Sequence, residues 1–276
     1  MSGRIQRRFD ALKAEGRAGF VTFLTAGDPD MASFETILAG LPGAGADLVE
    51  IGMPFSDPMA DGPAIQAAGL RALKSGTKLR HILAAIRRFR ALDTETPIVL
   101  MGYFNPIWRY GAEAFCHEAA AVGADGLIIV DVPPEEAGEL TPQAKAAGLD
   151  IIRLTAPTTD DERLRIVLGD AGGFLYHVAI AGITGTRSAD AEDVRRIVER
   201  LRRQTALPIA VGFGIRTPEQ AAAIARVADA AVVGTALVET VARYLDDAGT
   251  AQPGLAAAIH AQVQALAAGV RGARTA

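Results

Sequence analysis

Leu127-Ile128-Ile129-Val130 is apolar at four consecutive positions, where a strand with one wet face would alternate. Such a run fits a parallel strand covered on both sides. Similar short runs, ending in Gly, Pro or Asp and separated by Ala-, Arg- and Glu-rich stretches of helical period, recur along almost the whole chain. They are Phe20 to Thr25, Leu48 to Ile51, Ile98 to Met101, Gly126 to Val130, Ile151 to Leu154, Phe174 to Ala179, Ile209 to Gly212 and Ala231 to Val233. Each is about one βα unit from the next, apart from a long gap after Ile51 and a moderately long one after Ala179. Eight units predict a closed (β/α)8 TIM barrel, because an open doubly wound sheet normally stops at about five to seven strands. Ahead of the first run, Ile5, Phe9 and Leu12 sit at helical spacing, so residues 1–15 are read as an extra helix closing the barrel bottom. Leu255, Ile259, Val263, Leu266 and Val270 mark a closing helix, with a frayed tail expected over 271–276. Residues 1–276 are expected to form one domain.

Bulk composition narrows the functions. The chain has 276 residues, 50% hydrophobic and 22% charged, with a net charge of -4. That supports a large core and argues against a nucleic-acid surface. No apolar stretch approaches the roughly 20 residues that span a bilayer, and the basic amino terminus lacks a following apolar segment. A soluble, cytoplasmic protein is expected, with small molecules or other proteins as partners. The lone cysteine, Cys116, excludes an internal disulfide and reads as an inert packed thiol.

In this fold, catalytic groups lie at the carboxyl ends of the strands. The second run carries Glu50, a buried ionisable group that needs a partner or a function. Alone it could equally be a satisfied core carboxylate or an outward-facing one. The segment that follows, Met53-Pro54-Phe55-Ser56-Asp57-Pro58-Met59-Ala60-Asp61-Gly62-Pro63, is long, stiffened by three prolines and carries two acids. Long ordered loops at this end of a barrel are usually functional. Glu50 with Asp57 or Asp61 could divide proton-transfer duties if burial separates their pKa values. Gly212-Phe213-Gly214 and Gly234-Thr235 follow the last two strands, where barrels bind phosphate through backbone N–H groups, and Gly182-Ile183-Thr184-Gly185 could complete the cradle.

What is missing separates reaction types. Lys13, Lys74, Lys78 and Lys145 all fall in helical segments or their flanks, away from strand ends where a Schiff base would form. Of His81, His117, His177 and His260 only His177 lies on a strand, so a metal-dependent aldolase lacks its ligands. The expected chemistry is general acid–base catalysis without Schiff base or metal. Strand alternation sends one of Tyr176 and His177 into the barrel and the other toward the helices.

The segment Leu48 to Pro63 closely resembles the signature of tryptophan synthase α subunits. Thr25-Ala26-Gly27-Asp28-Pro29, Met101-Gly102-Tyr103-Phe104-Asn105-Pro106, Asp131-Val132-Pro133, Gly182-Ile183-Thr184-Gly185 and Gly212-Phe213-Gly214-Ile215 extend the resemblance along the chain. The resemblance implies carbon–carbon cleavage of indole-3-glycerol phosphate to indole and glyceraldehyde 3-phosphate, with Glu50 and Asp61 as catalytic acids and Tyr176 beside them. It places Tyr176 inside the barrel and leaves His177 structural. By position, Phe23, Ile65, Met101, Thr184 and Phe213 bind the substrate, and Gly185, Gly214, Gly234 and Thr235 surround its phosphate. No cofactor is implied in this chain. A pyridoxal-phosphate-dependent β subunit is the implied partner, in an α2β2 heterotetramer that receives indole, with contact through Pro54, Phe55, Ser56 and Asp57. Asp28 before Pro29 reads as a helix cap. Two positions depart from the family pattern, Ala179 and Thr235, where relatives commonly carry Ser.

Other readings differ in particular residues. A phosphosugar isomerase or cyclase on the same barrel would carry acids at the ends of strands one and five, where this chain has Thr25 and Leu154. A non-catalytic, ligand-binding subunit would have no use for Glu50 and Asp61. A free-standing lyase, acting without a β subunit, would retain both.

Overall fold

A computed structural model describes residues 3–179, 191–212 and 214–274. Helix α1 (Arg4–Ala14) leads into β1 (Gly19–Thr25), α2 (Met31–Ala44), β2 (Leu48–Gly52), α3 (Pro63–Lys74), α4 (Leu79–Arg90) and β3 (Ile98–Gly102). Then come α5 (Phe104–Tyr110), α6 (Ala112–Val122), β4 (Gly126–Ile129), α7 (Thr141–Ala147), β5 (Asp150–Ile151), β6 (Arg153–Thr155), α8 (Asp161–Leu168) and β7 (Leu175–Val178). The chain finishes with α9 (Ala191–Arg202), β8 (Ile209–Gly212), α10 (Pro218–Ala225), β9 (Ala230–Val233), α11 (Thr235–Arg243) and α12 (Leu255–Gly272). The long gap after the second strand is filled by two helices, α3 and α4.

All strand pairs are parallel, in the order β5-β4-β3-β2-β1-β9-β8-β7-β6. The two ends of that order are consecutive in the chain and separated only by Ile152, so the sheet closes on itself through one residue. The single fifth strand expected over Ile151 to Leu154 is therefore two pieces. Its first half pairs with β4 and its second with β7, as the tilt and stagger of a closing barrel require. Ile152 itself keeps the ladder to β4 by donating its N–H to Leu127 O at 2.9 Å.

Period-two alternation divides the side chains into two cores. Val21, Leu48, Val99, Ile128, Ile152, Phe174, Ala210, Ala230 and Val232 face inward and pack together, while Leu24, Val49, Ile51, Leu100, Leu127, Leu175, Ile209 and Val233 face the helices. The inner cluster is completed from below by Ile5, Phe9 and Leu12 of α1, with the Phe9 ring 5.7 Å from that of Phe174. Burying each of these three side chains contributes roughly 1.5–3 kcal/mol, which explains why the expected plugging helix forms. At the other terminus, the tail expected to fray is docked as far as Arg274, which donates to the carbonyls of Ala225 and Ala228.

Three aspartates, each one residue before a strand, hold the lower rim. Asp47 accepts from Phe20 N–H, Asp125 from Ile98 N–H and Asp229 from Ile209 N–H. Each also meets an arginine: Arg17, Arg90 and Arg202 in turn, with Arg4 as a second partner for Asp125. A carboxylate thus ties the start of one strand to the start of its neighbour while its charge is balanced. Asp28 is a correction to the cap reading. It is 3% exposed and forms two hydrogen bonds with Arg71 on α3, whereas Asp30 caps α2 by accepting from Ser33 N–H. The side chain seen as a cap in the sequence has a partner far along the chain.

Replacing Asp125 by Ala strands the Ile98 N–H and two arginines, and is expected to cost about 3 kcal/mol. Urea unfolding with far-UV circular dichroism measures this, and a loss under about 0.5 kcal/mol would remove the clamp from the account.

Candidate active site

Inward alternation on β2 places Leu48 in the lower core and Glu50 one layer above it, facing the carboxyl-end mouth of the barrel. There the cleft of about 640 Å³, open to solvent, is lined by Phe23, Glu50, Asp61, Ile65, Met101, Tyr176, Gly214, Gly234 and Thr235, together with Val178, Gly212, Ile215 and Val232. The first nine of these were singled out in the sequence, and the structure brings them into one space. Thr184, Gly185 and Phe213 lie outside the described residues. The last four were not assigned as site residues: Val178 and Val232 were read only as members of strand runs, Gly212 only within the candidate phosphate-binding segment, and Ile215 only within the family resemblance.

Glu50 is 1% exposed, and among the described residues neither carboxylate oxygen has a hydrogen-bond partner. Burial raises its pKa to about 8. The group is therefore a neutral acid at pH 7, able to give up a proton and to take one back. Tyr176 faces the same space, and its phenol is raised well above its ordinary value by desolvation and then by the nearby Glu50 carboxyl. His177, the next residue, points outward, as alternation requires: its Nδ1 lies 3.0 Å from Thr155 Oγ1. Burial, and then Arg200, lower its pKa to about 4, so it is a neutral packed imidazole.

Glycines shape the cleft in a way that the sequence reading did not separate from phosphate binding. A Cβ on Gly212 would lie 2.4 Å from Tyr176 Oη, and one on Gly52 would lie 2.5 Å from the Phe23 ring. Both strands thus leave room for an aromatic side chain from the neighbouring strand, Phe23 of β1 beside β2 and Tyr176 of β7 beside β8. Helix α11 begins at Thr235 behind Gly234 with no side-chain cap, so the N–H groups of its first turn are not satisfied by a cap.

The segment 53–62 covers one side of the mouth. Its two acids are distinguished by position: Asp57 is exposed and meets Ser56, while Asp61 is half-buried and lines the cleft. Burial raises the Asp61 pKa, and Tyr103 pulls it partly back. Tyr103, which the sequence reading quoted but did not place in the site, lines an adjoining recess of about 370 Å³ with Thr25, Met53, Phe55 and Asp61. The signal available for it was a polar-tipped side chain just past the carboxyl end of a strand. Cys116 is buried and its thiol is pushed up to about 11 by desolvation, which leaves it protonated and unreactive. Among the described residues, no group of three or more His, Cys, Asp or Glu is placed to hold a metal ion, and no helix is long and apolar enough to cross a membrane.

A closed parallel barrel with a proton-carrying carboxyl at its carboxyl-end mouth is the arrangement of a (β/α)8-barrel enzyme. Comparison with known proteins defines it further. A family model described as tryptophan synthase alpha chain matches residues 9–269. The tryptophan synthase alpha chain of Granulibacter bethesdensis is 58% identical over 271 residues, covering 98% of this chain and 97% of the relative. That of Acidiphilium cryptum is 55% identical over 273 residues, 99% of each. The crystal structure of the α subunit from Legionella pneumophila superposes with a TM-score of 0.89 at 37% identity, covering 98% of this chain and 99% of that one. The chain belongs to the tryptophan synthase alpha chain family of lyases, whose function is to cleave indole-3-glycerol phosphate and pass indole to a β subunit.

The raised pKa of Glu50 has a consequence for stability. Below the ordinary carboxylate value near 4.5, folded and unfolded chains both hold the proton and the group is neutral in its effect. As pH rises from there to about 8, the unfolded chain is ionised while the folded one stays protonated, so folding stability falls through that window. Glu50→Gln cannot ionise and removes this loss. Its thermal midpoint is expected to exceed that of the parent at pH 8 and above, with the gap narrowing steadily toward pH 5. Parallel melting curves against pH would contradict a buried, proton-holding Glu50.

Proposed function

We propose that Glu50 carries both proton transfers in the cleavage of indole-3-glycerol phosphate to indole and glyceraldehyde 3-phosphate, with Asp61 stabilising the ring nitrogen. Neutral Glu50 first gives its proton to indole C3, and Asp61 accepts or stabilises the N–H as positive character develops on the ring. The Glu50 carboxylate then takes the proton of the adjacent side-chain hydroxyl. The carbon–carbon bond breaks, its electron pair returns to the ring, and the side chain leaves as the aldehyde. Glu50 ends protonated, as it began. The observation that supports this reading most is a carboxyl at the mouth of an open cleft that is buried and, among the described residues, has no partner.

Phe23, Ile65, Met101 and Tyr176, with Phe213, form the slot for the indole in this reading. Gly214, Gly234, Thr235 and the N–H groups opening α11 hold the phosphate, with Thr184 and Gly185. Thr235 supplies a hydroxyl where relatives commonly have Ser; Ala179 does not. Pyridoxal phosphate belongs to the β partner, and the assembly is an α2β2 heterotetramer in the cytoplasm. Residues 1–276 act as one domain. The lid around Pro54, Phe55, Ser56 and Asp57 is the contact with the β subunit. Met59, 81% exposed, and Trp108, 62% exposed, lie at the same end and favour an apolar partner surface there. Ordering the lid on association would bring Asp61 into place and couple the two sites.

Glu50→Gln, assayed with saturating β subunit, is expected to lower indole release by at least about a hundredfold. It should still bind glyceraldehyde 3-phosphate. Near-normal turnover would overturn the assignment. With the parent chain, kcat/KM is expected to fall above about pH 8 as free Glu50 ionises, and to fall on the acid side, at a pH raised from the ordinary aspartate value, as Asp61 takes up a proton. A profile flat from pH 7 to pH 10 would rule out a neutral Glu50 as the starting state.

A further inference from the structure

The segment that carries Asp61 is anchored firmly at its ends. At one end, Met53 N–H donates to Met101 O at 2.7 Å, continuing the ladder between β2 and β3. At the other, α3 is tied to the loop after β1 by Arg71 on Asp28 and by Ser75 Oγ donating to Gly27 O. Between these anchors the bonds are local: Met59 N–H to Asp57 O, Asp61 N–H to Pro58 O, and Gln66 to Asp61 O. Among the described residues, one hydrogen bond ties the middle of the lid to another strand's loop. Ala60 N–H donates to Tyr103 Oη at 3.0 Å. The Tyr103 ring also packs on Phe55 of the lid, with centroids 5.2 Å apart. The residue is almost fully buried, so this phenol has little water to turn to.

A phenol can accept one hydrogen bond and still donate one. Because Oη accepts from Ala60, its proton is free to serve the carboxylate of the next residue, Asp61. Two effects agree with this: Tyr103 opposes the upward shift that burial imposes on Asp61, and the Tyr103 phenol is pushed up to about 12 by burial and then by the Asp61 charge.

We propose that Tyr103 is the positioning residue of the lid, tethering Ala60 with its lone pair and holding the Asp61 carboxylate toward the cleft with its proton. The inference deepens the proposed function, since it rests on Asp61 acting in the reaction. It assigns a task to a residue that touches the lid rather than the proton-carrying Glu50.

Tyr103→Phe keeps the ring and its contact with Phe55 and deletes only the hydroxyl. Losing a hydrogen bond to a charged group corresponds to about ten- to a hundredfold, expected here in kcat/KM for indole release with the β subunit present. The acid limb of the pH profile is expected to move to higher pH, because the phenol proton no longer offsets the burial of Asp61. Binding of glyceraldehyde 3-phosphate should stay within about threefold, showing an intact barrel. In an Asp61→Asn background, Tyr103→Phe should add less than about twofold, because the group it serves is gone. If Asp61→Asn is impaired but Tyr103→Phe leaves the acid limb unmoved, or its effect persists undiminished in the double variant, the positioning role is wrong and the reading of Asp61 stands. If Asp61→Asn turns over normally, that reading fails and takes the positioning role with it.

Discussion

Much of this molecule follows from one carboxyl group kept out of water without a hydrogen-bond partner among the described residues. Glu50 sits on an inward position of a strand whose other inward neighbour, Leu48, is part of the apolar interior. Ionising it there means holding a charge in a low-dielectric space, with no counter-ion beside it among the described residues, which costs several kcal/mol even after relaxation. The proton stays on instead. A neutral carboxyl at pH 7 is an acid that becomes a base once it has donated, and a cleavage needing one proton delivered and one removed fits such a group. A salt bridge to Glu50 would stabilise the fold and abolish that property. The burial of this carboxyl is thus the feature on which both the chemistry and the pH dependence rest.

The rest of the barrel can be understood as what keeps that position fixed. Side chains alternate so that the lower interior is filled by apolar layers and plugged by α1, which leaves Glu50 at the boundary between packed core and open cleft. The Asp47, Asp125 and Asp229 clamps fix the relative register of neighbouring strands at the lower rim. A one-residue slip in β2 would turn Glu50 toward the helices and bring Val49 or Ile51 inside. The clamp carboxylates at the lower rim are paired and charge-balanced, whereas the Glu50 carboxyl above the core has no partner among the described residues. The lid is a different kind of element: anchored at its ends, bonded locally and, among the described residues, joined to the barrel at its middle by one phenol.

The barrel was largely legible in the chain because parallel strands covered on both faces leave runs such as Leu127 to Val130 that no helix period explains. Alternation alone divided Tyr176 from His177, and the resemblance decided which of them faced the cleft. Glu50 could be read because a carboxylate inside an apolar run is conspicuous, and Asp61 because its loop was long and rich in proline. Contacts between distant parts of the chain were not readable. Asp28 looked like a cap because Pro29 follows it, yet its partner Arg71 is 43 residues away. Tyr103 and Ala60 are equally far apart, and nothing in either segment marks the pairing. The break at Ile152 reflects closure of the sheet, a property of all the strands together. The rim clamps did leave a trace, the repeated Ala-Asp before β2, β4 and β9, but the N–H groups they serve lie on neighbouring strands.

The central claim is the protonation state of Glu50, and it can be observed without turnover. Glutamate labelled with carbon-13 at the side-chain carboxyl, assigned by comparison with Glu50→Gln, reports that group's titration directly by NMR. The account predicts a midpoint near pH 8, well apart from the other glutamates. A midpoint near 4.5, the ordinary value, would mean that Glu50 is ionised at neutral pH and would contradict the starting state assigned to it.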